Sequence, residues 1–158
     1  MRRRLAGHSA VILGIGTDLC DIGRVERALK RFGEKFAERV LVASELQRFR
    51  RHRKPAAYLS KRFAAKEALS KALGTGIHFP VNWHNVWVEN ARSGKPSLKF
   101  SKALAGLLEE RGVECVHLSL TDEIGMACAF VVVEGLAEYG TKKARESNQP
   151  SRKAQRKR

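Results

Sequence analysis

The chain has 158 residues, of which 43% are hydrophobic, and it carries a formal net charge of +15. This length is sufficient for one buried core, and no apolar run approaches the ~20 residues that a membrane-spanning helix needs. These properties exclude an integral membrane protein and predict one soluble, cytoplasmic domain. The three cysteines, Cys20, Cys115 and Cys128, lack the spacing of a zinc site or a disulfide framework, and we expect small buried thiols.

The positive charge is divided between a tail and the rest of the chain. Residues 141–158 contain eight Lys or Arg and one Glu, so they supply +7 and the other 140 residues supply +8. Because the tail is polar and nearly devoid of apolar residues, residues 137–158 are predicted to be disordered, and residues 1–9 to be a flexible extension. The domain is therefore predicted at residues 10–136, and its own charge favours acidic partners and phosphorylated ligands.

The first predicted elements are one strand and a series of helices. An apolar strand begins at Ala10 and ends at Asp18, and Asp21 is expected to cap a helix that ends near Gly33. Residues 36–41 continue as a short helical or irregular segment. The sequence Ser44-Glu-Leu-Gln has the form of a capping box and predicts another helix.

The longest predicted helix spans residues 55–74 and carries charges on unexpected faces. Arg62 and Lys66 fall on the same arc as its leucines, which is the face expected to be buried. Glu67 and Lys71 lie on the neighbouring flank at an i, i+4 spacing, which is also the spacing of an ordinary helical ion pair. Because a buried charge is tolerated only when it is paired or bound, we expect this helix to hold a charged ligand.

The C-terminal half alternates strands with one more helix. Strands are predicted at residues 86–90 and 97–100, a helix at 101–111, and two further strands at 115–121 and 126–134. The order β-α-α-α-β-β-α-β-β predicts an α+β fold in which a largely antiparallel sheet packs with helices around one long central helix.

Two carboxylates and two lysines are the strongest candidates for a site. Asp18 ends a glycine-containing strand, where a ligand approaches the backbone closely, although Asp18 alone also fits a turn or capping residue. Asp18 and Glu67, with Lys66 and Lys71 nearby, match a magnesium–phosphate site, because Mg²⁺ takes one or two protein carboxylates plus phosphate oxygens. Backbone N–H groups of residues 74–76 are able to approach the same phosphate.

Histidine contributes one weaker candidate. The alternation of the strand around it puts His117 on one sheet face with Ser119 and Thr121, and that polar face suits either a ligand or solvent. The chain contains no GxSxG, HExxH or Walker motif.

Several segments together resemble the holo-[acyl-carrier-protein] synthase group of 4′-phosphopantetheinyl transferases. The resemblance covers about residues 11–134 and is carried by GIGTDLCDI (14–22), FAERVL (36–41) followed by SEL (44–46), KRFAAKEALSK (61–71), GTG (74–76), GKP (94–96) and VHLSLT (116–121). It implies the 4′-phosphopantetheinyl transferase fold. It also implies transfer of the 4′-phosphopantetheine arm of coenzyme A to a serine of apo acyl carrier protein, in fatty acid biosynthesis, with release of adenosine 3′,5′-bisphosphate.

The resemblance also implies roles for single residues. Asp18 and Glu67 match magnesium ligands, and together with Lys71 they are the expected catalytic residues. The group is usually a homotrimer with its sites between subunits, so contacts at Lys95, Pro96 and His117 are expected from the adjoining subunit. The full set of expected coenzyme A contacts is Ser70, Lys71, Gly74, Thr75, Gly76, Lys95, Pro96, His117 and Thr121.

A basic strip is the expected docking surface for the acidic carrier. Arg24 matches the arginine that engages the carrier in the family, and Arg27 and Arg31 share its helix face at i+3 and i+7. Lys35 extends the strip, while a solvated polar face is an equal alternative for Arg27 and Arg31. Asp122 is assigned no catalytic role, since some relatives have histidine there.

Two other functions fit parts of the sequence. A nonenzymatic nucleic-acid-binding protein would account for the charge, but aromatic residues are only 7% and no recognised nucleic-acid-binding motif is present. A transferase that serves polyketide or peptide synthetase carriers keeps the same fold, although the short single-domain length favours the fatty-acid carrier.

Overall fold

The computed structural model describes residues 10–137, so the predicted N-terminal extension (1–9) and nearly all of the predicted tail (137–158) lie outside the described residues. The elements in chain order are β1 (Ala10–Asp21), α1 (Ile22–Phe32), α2 (Glu34–Val40), α3 (Ala43–Arg50), α4 (Pro55–Leu73), β2 (Val86–Asn90), β3 (Pro96–Phe100), α5 (Lys102–Glu110), β4 (Val113–Glu123) and β5 (Met126–Leu136). None of the helices in this part of the chain is long and apolar enough to cross a membrane.

The strands form two antiparallel sheets, which confirms the predicted α+β class. β1, β5 and β4 pair in that order, and β2 and β3 form a separate hairpin. β1 continues three residues beyond its predicted end, because Asp18 to Asp21 pair with Ala129 to Met126 of β5. Asp21 then caps α1 as predicted, and its Oδ1 accepts the backbone N–H of Arg24 at 3.0 Å.

The predicted long central helix, α4, packs directly against β1 and β5. Two glycines of β1 permit this approach: a Cβ added at Gly14 would lie 2.0 Å from the carbonyl oxygen of Ala72, and one at Gly16 would lie 1.9 Å from that of Ala68. Both distances are far below van der Waals contact. The glycines of the strand therefore fix how closely the helix and its functional side chains approach β1.

The charges on the buried face of α4 hold the core together, so the prediction that Lys66 binds a ligand is wrong. The side chain of Lys66 is fully buried, and its Nζ donates to Glu45 Oε2 at 2.8 Å and to the carbonyl oxygens of Val40 (2.6 Å) and Trp83 (2.7 Å). Three acceptors use the three donors of an ammonium group. Arg62 is 6% exposed, and its Nη2 donates to Asn90 Oδ1 at 3.1 Å.

The capping box predicted at Ser44 is also wrong, and the same buried pair explains the difference. α3 begins at Ala43, and Glu45 Oε2 accepts the backbone N–H of the preceding Val42 at 3.2 Å. The other oxygen of Glu45, Oε1, accepts the backbone N–H of Val88 at 2.9 Å. Burial of Glu45 against Lys66 thus sets where the helix starts.

α4 covers one face of the three-stranded sheet, and large apolar side chains remain exposed on the other face. Ile15 is 55%, Leu19 65% and Phe130 44% exposed. We call this surface the open sheet face. Cys115 is exposed on this face as well, so the prediction of buried thiols holds for Cys20 but not for Cys115.

Candidate active site

Asp18 and Lys71 meet where β1 passes the last turns of α4. Asp18 alternates with the exposed Thr17 and Leu19 and so points to the helix side of the sheet. Lys71 Nζ donates to Asp18 Oδ1 at 2.7 Å and to the carbonyl oxygen of Thr17 at 3.0 Å. The side chain of Lys71 is 51% exposed, so its ammonium group remains accessible to a ligand.

Glu67 lies one turn before Lys71 on the same helix and completes a group of three residues. Partial burial raises the pKa of the Glu67 carboxyl, the negative charge of Asp18 raises it further, and Lys71 opposes the rise. The two carboxylates thus interact across β1 and α4. We call Asp18, Glu67 and Lys71 the Asp18 cluster.

The donors of the Asp18 cluster fit a hard divalent cation. Two carboxylates from different elements supply oxygen ligands and leave positions for water and phosphate, as Mg²⁺ requires. The raised pKa of Glu67 indicates that the positive charge of Lys71 does not fully offset burial and the negative charge of Asp18. A bound cation would supply further positive charge next to the Glu67 carboxylate.

The end of α4 brings a glycine loop beside Lys71. Gly74 adopts the left-handed conformation (φ 65°), and its N–H caps the helix through the carbonyl oxygens of Ser70 and Lys71. Gly76 also has a positive φ of 69°. Ser70 is buried and its hydroxyl donates to the carbonyl oxygen of Glu67 at 2.8 Å, so its contact with coenzyme A stays a prediction, as does that of Thr75.

The remaining predicted coenzyme A residues lie on other elements. Lys95 is exposed in the β2–β3 turn, Pro96 begins β3, and Thr121 is exposed near the end of β4. His117 lies on the open sheet face, where its Nε2 contacts Glu134 Oε2 at 2.9 Å. Within residues 10–137, no hydrogen bond or ion pair joins these four residues to the Asp18 cluster.

The predicted basic strip is exposed as expected. Arg24, Arg27 and Arg31 are exposed on α1, and Lys35 is exposed at the start of α2. Arg24 follows Asp18 by six residues across the β1–α1 junction. A contact with a carrier protein through this strip stays a prediction.

The sequence reasoning missed contacts that join distant parts of the chain. Lys61 of α4 donates to Asp122 Oδ1 of β4 at 2.7 Å, and Asp122 lines a cavity of about 670 Å³ between α1, the start of α4 and the β4–β5 turn. Lys61 belongs to the segment 61–71 that resembles the family, but its partner Asp122 is 61 residues away. The spacing of residues along one element does not predict such a pair.

Comparison with known proteins identifies the family of the chain. The profile of the 4′-phosphopantetheinyl transferase superfamily matches residues 14–129. A holo-[acyl-carrier-protein] synthase of Nitrosomonas europaea is 50% identical over 124 residues, which cover 78% of this chain and 99% of that protein. The crystal structure of the synthase from Neisseria meningitidis matches with a TM-score of 0.75 and 46% identity, covering 78% of this chain and 98% of that one.

A second solved structure bears on the ligand. The holo-(acyl-carrier-protein) synthase of Bacillus anthracis, in complex with CoA (3′,5′-ADP), matches with a TM-score of 0.67 and 36% identity. The match covers 78% of this chain and 97% of that one. The similarity therefore spans nearly the whole of these relatives, including one solved in complex with the nucleotide.

Proposed function

The chain belongs to the 4′-phosphopantetheinyl transferase superfamily, and we propose that the Asp18 cluster is its catalytic centre. The enzyme transfers the 4′-phosphopantetheine group of coenzyme A to a serine of apo acyl carrier protein. The products are the holo carrier and adenosine 3′,5′-bisphosphate. The single observation that carries the proposed site is the convergence of two carboxylates and a lysine where β1 crosses α4.

Asp18 and Glu67 would hold Mg²⁺ at this centre. When bound, the ion neutralises charge on the pyrophosphate that is cleaved, which is the main requirement of phosphoryl transfer. Lys71 contributes a second positive charge beside the metal site, since its Nζ lies 2.7 Å from Asp18 Oδ1. The N–H groups of the loop 74–76 would orient the coenzyme A phosphates.

Recognition of the carrier would depend on the basic strip. Acyl carrier proteins are strongly acidic, and the exposed cations of the strip offer a complementary surface close to Asp18. Arg24 is the central residue of this proposal, with Arg27, Arg31 and Lys35 as further contacts. The acidic surface of the carrier would thus be guided to the side of the site where its serine must react.

A second copy of the chain would complete the coenzyme A site. Lys95, Pro96, His117 and Thr121 make no hydrogen bond or ion pair to the Asp18 cluster within the described chain, and the open sheet face exposes apolar side chains that another copy could cover. Both observations support a site shared between copies of the chain, and the family resemblance favours a homotrimer. We also propose that the protein resides in the cytoplasm, where fatty acid synthesis would supply the carrier.

Intact-mass spectrometry tests this function directly. Apo acyl carrier protein is incubated with coenzyme A, Mg²⁺ and the enzyme, and we expect the carrier to gain the mass of one phosphopantetheine group. The gain should disappear with EDTA and with Glu67→Gln, and it should persist with Glu110→Gln, which changes an exposed glutamate of α5. Undiminished transfer by Glu67→Gln would refute the proposed centre without refuting the activity.

A further inference from the structure

Arg111 lies at the corner between α5 and β4 and contacts the end of α4. Its Nη1 donates to the carbonyl oxygen of Leu73 at 2.9 Å, across 38 positions of the sequence. Leu73 is the last residue of α4, and the glycine loop 74–76 follows it directly. An arginine on another element thus reaches the segment that is proposed to orient the coenzyme A phosphates.

The backbone of this corner is held on two sides. The N–H of Arg111 donates to the carbonyl oxygen of Leu107 at 3.1 Å, where α5 ends. The carbonyl oxygen of the next residue, Gly112, accepts the N–H of Leu136 of β5 at 3.1 Å. A Cβ added at Gly135 would lie only 2.0 Å from that oxygen. The guanidinium therefore extends from a corner that both α5 and β5 hold in place.

The carbonyl groups at the end of α4 need partners from outside the regular helix. The N–H groups of Gly74 and Thr75 donate to carbonyl oxygens of the last turn, at 3.0 and 3.1 Å. Arg111 binds the carbonyl oxygen of Leu73, and the helix dipole also favours a cation at this end of a helix. Arg111 thus completes the cap that the loop itself begins.

The hydrogen bond of Arg111 fixes the plane of one peptide group. The carbonyl of Leu73 and the N–H of Gly74 belong to the same planar unit. Because the last turn of α4 binds the N–H and Arg111 binds the carbonyl, this unit is held at both ends. The path of the next residues, Thr75 and Gly76, starts from this plane.

One backbone donor of the loop remains for a ligand. The cap uses the N–H groups of Gly74 and Thr75, whereas the N–H of Gly76 makes no hydrogen bond within residues 10–137. Such an N–H is able to donate to a phosphate oxygen, and glycine leaves room for the phosphate to approach the backbone. The position of this N–H depends on the peptide group that Arg111 holds.

We propose that Arg111 is a positioning residue for coenzyme A, a role that rests on the proposed function. It holds the glycine loop in the conformation that offers the N–H of Gly76 to the nucleotide phosphates. Lys71 keeps its own contacts with Asp18 and Thr17, which do not involve Arg111. Loss of the Arg111 contact should therefore weaken binding of the nucleotide and leave the chemical step intact.

Calorimetry with adenosine 3′,5′-bisphosphate measures this effect without turnover. In the presence of Mg²⁺, Arg111→Met should raise the Kd for the nucleotide by roughly 3–30-fold, the usual range of coupling through a neighbouring element. Arg111→Lys keeps a cation and should bind the nucleotide more tightly than Arg111→Met. Arg51→Gln removes an exposed arginine after α3 and should leave the Kd unchanged. Equal Kd values for Arg111→Met and the unmodified chain would overturn the role of Arg111.

Steady-state kinetics separate positioning from a general loss of structure. An interaction that binds substrate and transition state equally affects KM and not kcat. Arg111→Met should therefore raise the KM for coenzyme A by a similar factor, while kcat and the KM for the carrier stay unchanged. A fall in kcat that accompanies lower stability toward urea would assign Arg111 a structural role and overturn the proposal.

Hydrogen exchange tests the hold on the loop independently of activity. In the nucleotide-free protein, the amides of Gly74 and Thr75 should exchange faster in Arg111→Met than in the unmodified chain, while those of β1 and β5 stay the same. Unaltered exchange at the two loop amides would overturn the proposal even if the KM rises. If the unmodified chain neither binds the nucleotide nor transfers phosphopantetheine, the proposed function fails, and this measurement still decides whether Arg111 holds the loop.

Discussion

Lys66 and Lys71 lie five positions apart on α4, and their surroundings give the same side chain two different tasks. Lys66 is fully buried, and burial lowers its pKa while the charge and hydrogen bond of Glu45 oppose that change. Lys71 is half exposed and contacts only Asp18 and the backbone of Thr17 in this part of the chain. Burial and partner number, and not residue type, therefore separate the structural lysine from the functional one.

Substitution of each lysine by methionine should separate stability from activity. Lys66→Met leaves the charge of Glu45 buried without its partner, which typically costs about 3–5 kcal/mol in the free energy of unfolding. Lys71→Met removes a half-exposed partner and should cost about 1 kcal/mol or less, yet it should abolish most of the transfer activity. Urea unfolding and the carrier mass assay measure the two effects. Equal stability of the two variants would contradict this assignment.

Glu67 should make the metal-free protein less stable as the pH rises. Because the pKa of Glu67 is higher in the folded protein than in the unfolded chain, the folded state binds more protons between the two pKa values. The free energy of unfolding contributed by this group therefore falls as the pH rises through that window, and the penalty is complete above the folded pKa.

Glu67→Gln removes this penalty. In EDTA the variant should unfold at a higher temperature than the unmodified chain at about pH 8, and the difference should largely vanish near about pH 4, below the pKa of about 4.3 of a glutamate in an unfolded chain. Addition of Mg²⁺ should reverse the order at the higher pH, since only the unmodified chain binds the ion at both carboxylates. A variant that is less stable at both pH values without metal would refute this account.

At the scale of the elements, features set by neighbouring residues were predicted correctly from the sequence. Features that depend on residues far apart in the chain were not. The periodicity of α4, the pairing of β4 with β5 and the cap at Asp21 follow from residues a few positions apart, and all were predicted. The start of α3 and the role of Lys66 depend on the Glu45–Lys66 pair, whose members are 21 residues apart. Asp18, Glu67 and Lys71 were candidates from their residue types, and the family resemblance then implied that they form one site, which local spacing alone does not indicate.

The contact between β1 and α4 gives a prediction at this scale. Gly16→Ala should lower the free energy of unfolding by about 1–3 kcal/mol or more, because the new Cβ would lie 1.9 Å from the carbonyl oxygen of Ala68 and must push α4 away. Gly106→Ala is the matched control: Gly106 lies within α5 with nothing near its Cβ position, so alanine there should stabilise by roughly 0.5–1 kcal/mol.

Activity provides a second measure of the same contact. Displacement of α4 moves Glu67 and Lys71 relative to Asp18, so Gly16→Ala should also lower kcat, even at temperatures where the variant is fully folded. Gly106→Ala should leave kcat unchanged. If Gly16→Ala were as active and as stable as the unmodified chain, the close approach of β1 and α4 would not set the geometry of the site.

For the whole molecule, the distribution of charge determines which partners are attracted. The described domain is positively charged on α1 and the start of α2, and a carrier of opposite charge would be guided to that side. Arg24→Glu should therefore raise the KM for the carrier and reduce the salt dependence of that KM, because less attraction remains for salt to screen, while the KM for coenzyme A stays the same. Lys102→Glu makes the same charge change on α5 and should alter neither constant. Equal loss of both substrates in Arg24→Glu would refute this division.

Assembly gives the strongest test at this scale, because a site shared between copies can be restored by mixing two inactive variants. Glu67→Gln lacks a magnesium ligand, and His117→Ala lacks a proposed nucleotide contact from the adjoining copy. In oligomers formed by co-refolding equal amounts, some sites would combine an intact Glu67 of one subunit with an intact His117 of another. Random assembly would place both intact residues at roughly a quarter of the sites.

The expected result is recovery of transfer activity in the mixture and none in either variant refolded alone. Leu19→Glu introduces a charge on the open sheet face and should prevent both self-association, measured by light scattering, and this recovery. Recovery is impossible if each chain holds a complete site, because every chain in the mixture then carries one defect. Activity that stays absent in a mixture of confirmed trimers would thus confine the coenzyme A site to one subunit.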